Sequence, residues 1–288
     1  MTASTTLPRL PAAIVGTTAG PLSQDIDARW LMAYAAGLGE TDPRYYDTSA
    51  PGGPLAHPLF SVCYEWPAAL VVRDRALGEA VAARGVHATH HLVIHRAPRA
   101  GDRLSTTARV VAVEPRRAGT LVIVQFETVA ADGHPVTTTL HGSVYRGVET
   151  DGAGPAIVDR PRVEPGPVRW EAPVAVSPQA ARVYTECARI WNPIHTDVAV
   201  ARAAGLPGII LHGTATLALA LSRVIDRDLG GAPGRVRSVS ARFTGMVLLP
   251  STVVVRGRGA PGSRLAFEAV DEGGRAVLSD GLVTFSDR

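Results

Sequence analysis

Lysine is absent: all 29 basic residues of the 288-residue sequence are arginines. This excludes Schiff-base and pyridoxal-phosphate chemistry, which need a lysine amine. Only two cysteines occur, Cys63 and Cys187, and they form no CxxC pair. A disulfide framework and a cysteine zinc site are thereby disfavoured, and free thiols in a reducing cytoplasm are expected. No apolar run approaches the roughly 18 residues of a membrane span, and no basic segment leads into an apolar core at the N-terminus. The expected protein is soluble and cytoplasmic, without a membrane partner. The arginines are scattered, the formal charge is only +3 and aromatics make up 5% of the chain. No basic stripe interleaved with aromatics exists for nucleic acid to bind. What is abundant is apolar: 46% of residues are hydrophobic, enough for a substantial buried core.

The chain is written twice. Residues 149–170, rich in Pro, Gly and charge, read as a linker between an N-terminal unit, 1–148, and a C-terminal unit, 171–288. In the first unit the apolar spacing from Ile26 to Leu38 predicts a helix closed by Gly39. A turn-rich loop and a longer helix over about 59–83, interrupted by Pro67, follow. Four β-rich runs beginning at Val86, Arg103, Thr120 and Val136 complete the unit. The second unit repeats this order: a helix opened by Ser177-Pro178, the loop "RIWNPIHTD", a short helical run, an apolar helix closed by Gly230-Gly231, and four strand-like runs. "GETDPRYYD" (39–47) lies over "RIWNPIHTD" (189–197), with Pro43 on Pro193 and Asp47 on Asp197. His57-Pro58 likewise answers His212-Gly213. A long helix followed by antiparallel strands suits a sheet wrapped around that helix, and two such units can join their sheets edge to edge.

"NPIHTD" followed by "AGLPGIILHG" resembles the hydratase-2 signature of the MaoC-like (R)-specific enoyl-CoA hydratases and dehydratases. The resemblance is strongest over about 184–221. It implies an α+β double hot-dog fold in which one half keeps the catalytic loop and the other has degenerated. It implies a lyase that adds water across, or removes it from, an acyl thioester of coenzyme A or a carrier protein, with no cofactor and no metal, and with a homodimer among the expected assemblies. By resemblance His195 is the acid/base, Asn192 orients the loop and the N–H of Gly213 donates to the thioester oxyanion. Tyr184, Trp191, Asp197 and His212 are the residues expected to line or shape the substrate site; Asp197 also suits the cap of the next helix.

The departure lies in the acid. The family pattern Ser-Gly-Asp-x-Asn-Pro-x-His falls on Ala188 to His195, which places Ile190 where the carboxylate belongs. In the first unit the reverse holds, with Glu40 at the acid position and Tyr45 at the histidine position. Three readings stay open. Glu186, one helical turn before Ile190, substitutes for the acid if that turn is helical. His195 works as sole acid/base. The site binds an acyl ligand without hydrating it, or serves as a thioesterase or a secondary-metabolism dehydratase or cyclase. Two other motifs lead elsewhere. "GRGAPG" (257–262) has no helix to receive a pyrophosphate and reads as a hairpin turn. In "HATHHLVIH" strict alternation would turn His87, His91 and His95 one way and His90 the other, a poor chelate.

Overall fold

The structure, a computed structural model, describes residues 8–287. Its first half contains β1 (Arg9–Leu10), β2 (Thr18–Asp25), α1 (Ala28–Gly37), α2 (Ser61–Ala76), α3 (Glu79–Ala82), β3 (Gly85–Ile94), β4 (Arg103–Arg116), β5 (Gly119–Ala130), β6 (Pro135–Arg146) and β7 (Glu149–Thr150). The second half contains β8 (Val168–Val176), α4 (Ala180–Ala188), α5 (Val198–Ala203), α6 (Gly213–Asp228), β9 (Val236–Phe243), β10 (Ser251–Gly259), β11 (Arg264–Val270) and β12 (Ala276–Phe285).

Ten strands form one continuous sheet in the order β2-β4-β5-β6-β3-β9-β12-β11-β10-β8. The halves meet where β3 runs antiparallel to β9, with His90 opposite Ala241 and Leu92 opposite Val239. Each half thereby satisfies one sheet edge of the other. This is the double hot-dog arrangement, with the 16-residue helices α2 and α6 as the central helix of each unit. One apolar core unites them: Tyr34, Leu59 and Phe60 of the first half cluster with Leu217, Leu221 and Val239 of the second.

Equivalent residues of the repeat touch one another, which places them on the pseudo-twofold axis. Tyr34 and Tyr184 lie hydroxyl to hydroxyl at 3.4 Å. Where α1 crosses α4, a Cβ added at Gly37 would stand 2.8 Å from the Cβ of Cys187, its partner in the repeat, so the crossing requires glycine.

Several sequence expectations shift. Each half contributes five strands to the sheet rather than four, because β2 and β8, short of apolar alternation at the sheet edges, join it. The stretch 149–170 is bounded by β7, paired parallel to β1, and by the start of β8. Between them the chain straps the outer face of the sheet: Gly154 donates its N–H to Val113 and buried Arg160 reaches Asp280 at 2.6 Å. The second long helix ends at Ala76, before α3, and α4 begins at Ala180 rather than at Pro178. The alternation assumed for "HATHHLVIH" also fails. A bulge lets His87 pair with Ser143 and Thr89 with Gly142, so Ala88 is an extra residue. The parity changes there, and His87 and His90 share a face.

Candidate active site

The loop after α4 is built by a left-handed turn. Arg189 sits at φ 59 and ψ 36, and the N–H of Ile190 donates back to the Thr185 carbonyl at 3.1 Å, closing the helix as a Schellman motif. The Arg189 guanidinium stacks over Trp30, 4.1 Å from the ring centroid. Because the chain reverses here, Ile190 and Glu186 do not share a helical face: Ile190 is buried and Glu186 is exposed. The helical condition for Glu186 to reach the acid position is not met.

Asn192 accepts the N–H of Ile194 at 3.4 Å and opens a single 3-10 turn, Pro193–His195. Asp197 accepts the N–H groups of Ala199 and Val200, capping α5, and is exposed. His195 is buried. Its Nδ1–H donates to the Ile210 carbonyl at 2.8 Å, an acceptor only, which fixes the tautomer and leaves Nε2 with a lone pair. Burial, partly offset by that carbonyl, pushes its pKa down to about 4. The ring is therefore a neutral base at pH 7.

His212 stacks on His195, centroids 3.7 Å apart. The Thr185 hydroxyl donates to Ala181, so it accepts from His212 Nε2–H at 3.3 Å. Burial and the neighbouring His195 push His212 down to about 2. Gly213 opens α6, and its N–H is one of those a helix leaves without an internal partner. The Phe243 ring packs on it, 3.1 Å from where a Cβ would stand. Tyr184 donates to the Thr214 hydroxyl at 3.1 Å, while Trp191 is 60% exposed at the rim. The neutral His195 ring stacks on the N-cap residue of α6, and an apolar residue, Ile190, stands at the acid position.

The first half carries the complementary set. His57 Nδ1 accepts the N–H of Leu59 at 3.1 Å, so Nε2 bears the proton and donates to Ser222 of α6 at 3.3 Å. Ser222 in turn donates to the Glu40 carboxylate. The relay crosses the two halves, and nothing in the local sequence around Glu40 or His57 marks Ser222 as its middle member. Burial raises the Glu40 pKa despite the Ser222 hydrogen bond and lowers that of His57 to about 3. Tyr45, at the histidine position, is buried with its ring 6.1 Å from that of His57. His57 also lines a cavity of about 580 Å³ with Ser61, Tyr64 and Thr137, and Arg99 and Arg237 border it.

Two hot-dog units fused through one sheet, with a histidine loop beside the N-terminus of a central helix, define a double hot-dog protein. Residues 163–273 match the MaoC-like domain and residues 13–139 match the FAS1-like dehydratase domain region. The C-terminal half thus carries a MaoC-like domain, and the N-terminal half resembles a FAS1-like dehydratase region.

A solved MaoC-like dehydratase from Phytophthora capsici superposes with a TM-score of 0.83 at 22% identity over 95% of this chain and 96% of its own. A Mycobacterium tuberculosis protein described as having a double hot-dog fold does so with a TM-score of 0.59 at 16% identity over 94% and 95%. At these identities the likeness is one of fold. Among curated relatives, 3-hydroxyacyl-thioester dehydratase X of Mycobacterium tuberculosis is 31% identical over 58% of this chain and 57% of its own length. The fatty acid synthase β subunit of Aspergillus oryzae is 43% identical over 26% of this chain. The chain thus spans little over half of the first relative and 4% of the second.

Proposed function

We propose that the protein is a hydratase/dehydratase acting on an enoyl or 3-hydroxyacyl thioester of coenzyme A or a carrier protein, with His195 as the acid/base. The observation that carries this reading is the locked tautomer of His195, which leaves Nε2 free on a ring stacked against His212, the residue that precedes Gly213 at the start of α6. In the hydration direction Nε2 takes a proton from water as the water oxygen bonds to C3. The electron pair of the double bond passes to the thioester carbonyl, whose negative charge the Gly213 N–H stabilises. The histidinium then returns the proton to C2, so atoms and charge balance with one titrating group. Exposed Glu186 and buried Ile190 support this single-histidine form over a displaced carboxylate. Cytoplasmic residence, supported by the two free thiols, and pairing into a homodimer belong to the same proposal.

A second reading has its own observation. The Glu40–Ser222–His57 relay stands beside the 580 Å³ cavity, and the exposed Arg99 and Arg237 suit the phosphates of a pantetheine-bearing substrate. Here Glu40 accepts the proton and the first half is the reaction centre. Absorbance of short and medium trans-2-enoyl-CoA thioesters, followed beside His195→Ala, Glu40→Gln and Glu186→Gln, separates the readings. The first predicts a loss of at least about 100-fold in rate for His195→Ala and an unchanged rate for Glu186→Gln. Loss in Glu40→Gln with His195→Ala active moves the chemistry to the first half. No turnover of any chain length overturns both.

A further inference from the structure

The β3 bulge gathers three histidines on the inner face of the sheet, near its central seam. His90 lies directly opposite His141 on β6, and His87, brought to the same face by the extra residue Ala88, pairs with Ser143 two residues along. One nitrogen from each of His87, His90 and His141 lies within 4.8 Å of the other two. Three points that close fit a circle of radius about 2.8 Å, whereas zinc–imidazole bonds are about 2.0–2.1 Å long. An inward shift of about 0.7 Å or less per ring would close the site.

Two further features separate this cluster from ordinary packing. His90 is 1% exposed, yet neither of its nitrogens has a hydrogen-bond partner, a costly state for a buried imidazole. The other two histidines already have the support that ligating histidines use. His87 Nε2–H donates to the Thr89 carbonyl at 3.1 Å, which leaves Nδ1 as its lone-pair nitrogen, and His141 Nε2 is held by the Ser143 hydroxyl at 3.1 Å. The rings of His87 and His141 are stacked 3.7 Å apart at 10°, so binding requires them to splay. Both are half-buried, which leaves a way in for an ion.

We propose that His87, His90 and His141 form a binding site for a borderline divalent first-row ion of the zinc class. Three neutral imidazoles and no carboxylate favour zinc, cobalt, nickel or copper over magnesium or calcium. The fourth position of a tetrahedral ion there is left to water. Phe243 packs 4.3 Å from His87 and also lies on Gly213, so the site is separated from the α6 N-terminus by one aromatic ring. The proposal stands whichever half carries out the thioester chemistry.

The test uses tag-free, chelator-stripped full-length protein. Titration with Co²⁺ should give one equivalent per chain with the intense visible bands of a tetrahedral nitrogen site, and Zn²⁺ should displace it and raise the Tm. His90→Asn and His141→Asn should each lose at least about 100-fold in affinity, while His134→Asn, an exposed histidine in the β5–β6 turn, should bind as the parent does. If a ligand variant fails to fold, His87→Asn and the parent's spectrum carry the same decision. Absence of saturable one-to-one binding by the parent overturns the proposal, as does full-affinity binding retained by folded His90→Asn and His141→Asn.

Discussion

At the residue scale the site is a set of side chains whose protons are placed by their neighbours. The Ile210 carbonyl decides which nitrogen of His195 is free, and the Leu59 N–H decides the same for His57, with the opposite result. That difference leaves Nε2 of one histidine as an acceptor and makes the other the donor of an internal relay. Ile190 is sealed in the core, so Ile190→Asp buries a carboxylate among apolar groups. We expect it to cost about 2–4 kcal/mol of unfolding free energy by urea titration, through desolvation of the acid. Asp197 has a simpler role in this structure: it caps α5. Asp197→Ala should cost about 1 kcal/mol in the same measurement and leave KM for the thioester unchanged; a large KM change would place Asp197 on the substrate.

At the element scale, the strap formed by residues 151–166 is held to the outer face of the sheet by few contacts. Arg160, 5% exposed, bridges Asp159 at 3.3 Å and Asp280 at 2.6 Å and links the strap to β12. Removing the buried guanidinium leaves the largely buried Asp159 carboxylate without its cation and frees the half-exposed Asp280 from the strap. Arg160→Ala should therefore lower the Tm and speed protease cleavage within residues 151–166, read by mass spectrometry of the fragments. Unchanged cleavage would show that the Gly154 hydrogen bond and the Ile157 contact with the outer apolar cluster suffice.

For the whole molecule, buried titrating groups set the pH range of the fold. Glu65 on α2 is 4% exposed, accepts a hydrogen bond from Thr139 at 2.7 Å, and is pushed by burial up to about 8. The folded chain keeps this proton up to about pH 8 while the unfolded chain releases it near 4.5, so stability falls as pH rises across that interval. His57, His195 and His212 are shifted the other way, to about 3, 4 and 2. Unfolding lets them take up protons below about pH 6.5, so stability falls as pH drops through that value. Chemical denaturation across pH should show a maximum between about pH 6 and 7. In Glu65→Gln the decline on the alkaline side should flatten, while the acid limb stays.

The internal repeat, the order of elements and most of the strands are legible in the sequence. These follow from local periodicity, turn residues and the constant spacing of Pro43 to Pro193 and Asp47 to Asp197, all of which are properties of neighbouring residues. The sequence also placed a carboxylate, Glu40, at the acid position of one half and a histidine, His195, at the histidine position of the other. Tertiary structure decided what local pattern cannot carry. The left-handed residue Arg189 turned Ile190 inward while Glu186 stayed outside, and one extra residue at Ala88 moved His87 to the face of His90. The edge strands β2 and β8 escaped the pattern because a strand paired on one side needs no strong alternation. Ser222 joined Glu40 to His57 only because α6 packs against the Pro58–Phe60 turn of the other half. Side-chain direction and contact across 182 residues depend on how the backbone closes, and only the packed molecule fixes that.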